Sequence, residues 1–190
     1  MKRILTLVML LSLAAVCLLA PASALAYWDY NSQLALMDDD LPELYGTLNQ
    51  KMATRTGPGT EFTEPGTFMA KGDRVRIISV SIDENDVPWV QVDLTYGRKH
   101  IRAYTGLKRF DGVKLNDIPR EFNYGIEREL TQDVTPLYGP GSNYSAYSFT
   151  LKAGRSVTLI DDENGYAMCE FYAKSEQQWY RVWIPQGALF

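Results

Sequence analysis

Cysteine and histidine are the scarcest chemistry in this chain, with two cysteines and one histidine in 190 residues. Cys17 lies in an N-terminal segment expected to be removed, which leaves Cys169 alone. A single thiol excludes an intramolecular disulfide, so apolar burial must hold the fold together. With His100 as the one imidazole, any Ser-His or Cys-His mechanism has to use it, and zinc lacks a ligand set. An excess of cations is also missing: the net charge is −4. That argues against nucleic acid, which selects a basic face. Helical periodicity is nearly absent apart from a possible short helix around Leu34–Leu44. Beyond the N-terminus no apolar run is long enough to cross a bilayer.

What is present begins with Lys2-Arg3, an apolar run from Ile4 to Ala20, and small residues ending in Ala24-Leu25-Ala26. This order predicts a secretory signal peptide over residues 1–26, cleaved before Tyr27. The run is short for a spanning helix, and Val16 before Cys17 argues against a lipid-attachment site. Cleavage removes two cations and no acids, taking the net charge from −4 to −6. All four tryptophans and all twelve tyrosines lie after the cut, a composition incompatible with disorder.

The chain carries an internal repeat. Displaced by 82 residues, Leu48–Ile78 lies on Leu130–Ile160 without a gap, and eight of 31 positions are identical. Average composition gives roughly two. The shared positions include Gly57-Pro58-Gly59 on Gly139-Pro140-Gly141, Gly72 on Gly154, and Val75 on Val157. Further on, Trp89–Leu94 matches Tyr166–Phe171, and Arg102-Ala103-Tyr104-Thr105 matches Arg181-Val182-Trp183-Ile184. The expected organisation is a leader at 27–47, a first repeat at 48–110, a linker at 111–129 and a second repeat at 130–190. Apolar Val113, Ile118, Phe122 and Tyr124 predict that the linker packs between the repeats.

Within each repeat the Gly-Pro-Gly runs break the chain, because glycine permits positive φ and proline fixes its own. Lys71-Gly72-Asp73 and Ala153-Gly154-Arg155 read as tight turns opening strands. Val75, Ile77 and Ser79 alternate with Arg74, Arg76 and Ile78, the period of a half-buried strand. Several short strands in about 60 residues imply an all-β fold of two small barrels or sandwiches.

The stretch Thr54–Phe62, with its Gly-Pro-Gly-Thr-x-aromatic turn, followed by Lys71-Gly72-Asp73-Arg74-Val75 and Trp89-Val90-Gln91-Val92, resembles the bacterial SH3 (SH3b) family. The second copy keeps Gly139-Pro140-Gly141-Ser142-Asn143-Tyr144, but has Leu137 in place of Arg55. The closing Gly-Trp-Val of the family is replaced by Ala103-Tyr104-Thr105 and Val182-Trp183-Ile184. The resemblance implies two tandem SH3-like barrels that bind peptides or cell-wall material.

Two features could carry such binding. Arg98, Lys99, Arg102, Lys108 and Arg109 form a basic stretch that suits a carboxylate or phosphate, or equally a solubilised edge strand. Tyr138, Tyr144 and Trp183 suit a groove for peptide or sugar, or equally a core. The acidic turns Asp83–Asp86 and Asp161–Asn164 read as solvated hairpins, since neither has a calcium-loop spacing. Cys169 aligns with Val92 and reads as a small buried hydrophobe. The sequence therefore points to an exported, non-catalytic binding protein without metal or cofactor. Its expected ligand is peptidoglycan or its peptides, and the alternative is an adaptor for another envelope protein. Tyr138, Tyr144, Trp183, Arg98, Lys99 and Arg102 are its candidate ligand-binding residues.

Overall fold

A computed structural model describes residues 43–189. The signal peptide, nearly all of the leader and the helix expected at Leu34–Leu44 lie outside the described residues, except that Leu44 begins a strand. The described chain is all-β, with antiparallel sheets and no helix of seven or more residues; no closed barrel forms. No helix among the described residues is long and apolar enough to cross a membrane.

The first half holds β1 (Leu44–Leu48), β2 (Met52–Ala53), β3 (Phe68–Met69), β4 (Arg74–Ile82), β5 (Pro88–Tyr96), β6 (Lys99–Gly106) and β7 (Phe110–Asp111). Five of these form a sheet ordered β6-β5-β4-β1-β7, and β2 pairs with β3. The second half holds β8 (Ile126–Glu129), β9 (Ser156–Glu163), β10 (Tyr166–Ala173) and β11 (Gln178–Pro185), ordered β11-β10-β9-β8. The pairings recur at equivalent residues. Arg55 bridges Tyr104 as Leu137 bridges Trp183, and Leu48 meets Phe110 as Leu130 meets Leu189. β1 and β8 fall in stretches read from sequence as leader and linker. Residues 44–47 and 126–129 share no identities across the copies, so self-similarity reached only Leu48, the last residue of β1.

The expected alternation along β4 breaks at one point. Ile77 opposes Val92 but Ser79 opposes Gln91, so Ile78 is an extra residue. The second half repeats this bulge at Ile160, between the Leu159–Cys169 and Asp161–Met168 pairs. A bulge reverses the inside-outside phase: Val75 and Ile77 are followed into the core by Val80 rather than by Ser79.

Glycine plays two different roles. Gly72 and Gly154 take φ of 91° and 80°, as their turns require. Gly57 and Gly139 do not adopt positive φ. They are needed for space, because a Cβ would meet the Phe62 ring at 2.3 Å and the Tyr144 ring at 2.2 Å. Each aromatic folds back onto its own Gly-Pro-Gly turn.

The linker threads along the first sheet and into the second. Val80 N–H donates to Pro119 O and Glu121 N–H to Val80 O, while Tyr124 N–H donates to Ile160 O. Ile118 joins the first core, built on Val80, Val90, Val92 and Ile101. The second core is built on Leu130, Val157, Cys169, Val182 and Ile184, and Tyr138 packs against both.

Gly139→Ala should cost about 1–3 kcal/mol, the scale of overpacking, with the ring of Tyr144 displaced. Urea denaturation of wild type and variant, together with the ring-proton shifts of Tyr144, measures both effects.

Candidate functional site

The candidate residues Tyr144, Trp183 and Arg102 do come together, and what unites them is the packing of one repeat on the other. The Arg102 guanidinium lies over the rings of Tyr144 and Trp183, with centroids at 5.7 and 5.5 Å. The equivalent Arg181 lies over Phe62 and Tyr104, at 5.8 and 5.1 Å. Each repeat thus presents an aromatic notch, and the closing-strand arginine of the other repeat fills it. The backbone follows the same exchange. Ser145 N–H donates to His100 O (2.9 Å), while Thr63 N–H donates to Trp179 O (3.0 Å) and Trp179 N–H to Glu61 O (3.2 Å).

Both arginines are buried, so each needs anionic partners. Arg102 makes a bidentate contact with Glu163, with Nη2 to Oε1 at 2.8 Å. Its Nε donates to Tyr144 Oη, and Tyr144 Oη donates to Asp93 (2.8 Å). Asp93 also pairs with His100 Nε2 at 2.8 Å, and His100 stacks on Tyr144 with centroids 4.1 Å apart. Arg181 pairs with Glu170 and with Glu121, whose side chain is 4% exposed, and donates to Tyr104 Oη at 2.9 Å. Despite burial, which lowers an arginine's pKa, Glu121, Tyr104 and Glu170 hold Arg181 well above its ordinary value. A third small cluster of Ile160, Met168 and Trp183 completes the seam, with Gln91 Nε2 reaching Met168 S at 3.5 Å.

Asp161 is the one carboxyl here held against its preference. Burial, followed by the charges of Glu121, Asp162 and Glu163, raises its pKa from 3.8 to about 7, against a hydrogen bond from Asp162 N–H. In the first copy Ser79 takes this place beside the bulge.

The other candidates lie elsewhere. Tyr138 stacks on Tyr147 at 3.7 Å between the two cores, and burial raises its pKa to about 12. Arg98 and Lys99 are exposed at the β5–β6 turn. The basic stretch is therefore not a single patch, because Arg102 points into the seam. Cys169 is fully buried, and burial raises its thiol to about 12. Asp83 accepts from the N–H groups of Asn85 and Val87 and from Trp89 Nε1, all at 2.9 Å, and so closes its own turn. Among the described residues no group of three or more His, Cys, Asp or Glu is placed to hold a metal ion.

Sequence reasoning missed two open troughs at equivalent places in the two halves. The first, about 470 Å³, is lined by residues including Tyr45, Phe68, Arg74, Arg76, Tyr96 and His100. The second, about 640 Å³, is lined by Phe149, Arg155, Phe171, Tyr172, Lys174 and Tyr180 among others. Phe68, Tyr96 and Tyr172 are among the most exposed large apolar residues described. An available signal was the aromatic density at Phe171-Tyr172 and Trp179-Tyr180. No family model matches this chain, and neither does any curated protein.

Two outcomes test the seam. Arg181→Met strands the buried Glu121 carboxylate and should cost about 3–5 kcal/mol; adding Glu121→Gln should recover much of the loss in urea denaturation. For Asp161, a raised folded pKa means that the folded state holds a proton the unfolded state has released. Wild-type stability from this group therefore falls as pH rises from about 4 to about 7, and is level above. Asp161→Asn removes that slope, so its stability relative to wild type should be higher at pH 8 than at pH 4.

Proposed function

We propose that this is an exported, non-catalytic binding protein of the bacterial cell envelope, built from two SH3b-like modules and recognising peptidoglycan or its peptides. The observation that carries the reading is the pair of solvent-open troughs, one per repeat, each combining exposed aromatic rings with cations. Aromatic faces suit both peptide and sugar, and arginine suits the carboxylates of wall peptides. Two sites held on one packed body favour a polymer, since a second contact on the same polymer raises the effective concentration. Exposed Arg98 and Lys99 lie in sequence between Tyr96 and His100, which line the first trough. The buried, protonated thiol of Cys169 and the Asp93–Tyr144 packing of His100 support a binding role over a nucleophilic one.

The test is co-sedimentation of residues 27–190 with purified sacculi, with and without their anionic polymers. Retention on bare peptidoglycan is expected, and Tyr96→Ala combined with Tyr172→Ala should lower it at least tenfold. Absence of retention on both preparations overturns the reading in favour of an adaptor, for which a co-purifying envelope protein is the expected finding.

A further inference from the structure

We infer that the second trough is a receptor for the C-terminal carboxylate of a peptide, an assignment that rests on the binding-protein reading above. Its walls are aromatic. Phe171 and Tyr180 stack at 5.3 Å, and Phe149 meets their edges at 6.2 and 5.4 Å. Such a wall accepts an apolar side chain but fixes no polarity. Polarity comes from the charges at its rim.

Arg155 is the key group. Its guanidinium lies 4.3 Å over the Phe171 ring and is held there by one hydrogen bond, from Nη2 to Tyr172 O at 3.1 Å. Its Nε is buried without a hydrogen-bond partner. No salt bridge is formed by Arg155 among the described residues, in contrast to Arg55, Arg102 and Arg181 with their carboxylates. A guanidinium pinned over a ring, with Nη donors that the protein leaves unused, is preorganised for an anion. Exposed Lys174 adds a second cation to the same trough. The acid in the lining, Glu176, already accepts from Tyr180 Oη. Its charge disfavours a carboxylate at that end and suits a peptide N–H there. The trough therefore has a direction, with the terminal carboxylate towards Arg155 and the preceding amide towards Glu176.

The first trough places its guanidinium differently, with Arg74 lying 4.4 Å over the Tyr45 ring. Asp73 occupies the position of Arg155, and its carboxylate accepts from Ala70 N–H at 2.7 Å. The two copies thus place their charges differently on the same scaffold.

The experiment titrates N-acetyl-alanyl-alanine, in its L,L and D,D forms and as the C-terminal amides, into residues 27–190, followed by amide NMR shifts. At least one acid form should bind with shifts confined to residues 149–180, and its amide should bind at least tenfold more weakly. Arg155→Gln and, at an exposed position, Lys174→Gln should each weaken binding by roughly tenfold. Equal binding of acid and amide, no binding of either acid form, or affinity unchanged in Lys174→Gln overturns the inference. Sacculus retention measured in parallel separates the two readings. Retention without peptide binding sinks only the carboxylate site, and peptide binding without retention supports the site while sinking the wall reading.

Discussion

The reciprocal burial of Arg102 and Arg181 is the constraint on which the rest of this structure depends. Each guanidinium is removed from water by the aromatic side chains of the opposite repeat. Burial of that kind is tolerable only with charge partners in place. Those partners come from three sources: Glu170 from β10, Glu163 from the end of β9, and Glu121 from the linker. The linker is thus part of the electrostatic balance, and its position follows from Glu121 as much as from Ile118. The Gly-Pro-Gly turns also follow. Phe62 and Tyr144 reach the seam only because Gly57 and Gly139 leave room for their rings to fold back.

Much of this was legible in the sequence. The all-β class follows from period-two alternation and closely spaced breakers, and the internal repeat is carried by Gly57-Pro58-Gly59 and Gly139-Pro140-Gly141. Tyr144 and Trp183 stood out as rings at the Gly-Pro-Gly turn and the closing strand, and Arg102 as one cation of a basic stretch. What covers them was not legible. A groove open to a ligand and a groove filled by another repeat need the same residues, and only the three-dimensional packing distinguishes them. The bulges at Ile78 and Ile160 escaped for a related reason, since an extra residue is defined by what opposes it across the sheet. The troughs combine side chains more than 20 positions apart, such as Phe149 with Tyr172, which no local pattern joins.

The division between seam and trough also explains how two copies of one scaffold can diverge. Residues facing the seam are held by mutual fit: Phe62 answers to Arg181 and Tyr144 to Arg102. The troughs also carry exposed residues outside that fit. There the copies differ in charge, with Asp73 against Arg155 and Arg74 against Ser156.

The exchange of backbone hydrogen bonds between Trp179 and Thr63, and between His100 and Ser145, has a consequence for the history of the chain. Neither repeat is complete without surfaces supplied by its twin. A duplication of this kind is difficult to reverse: deleting one copy exposes the charged and aromatic interior of the survivor. The two copies are therefore expected to unfold in one transition, and to be inherited together.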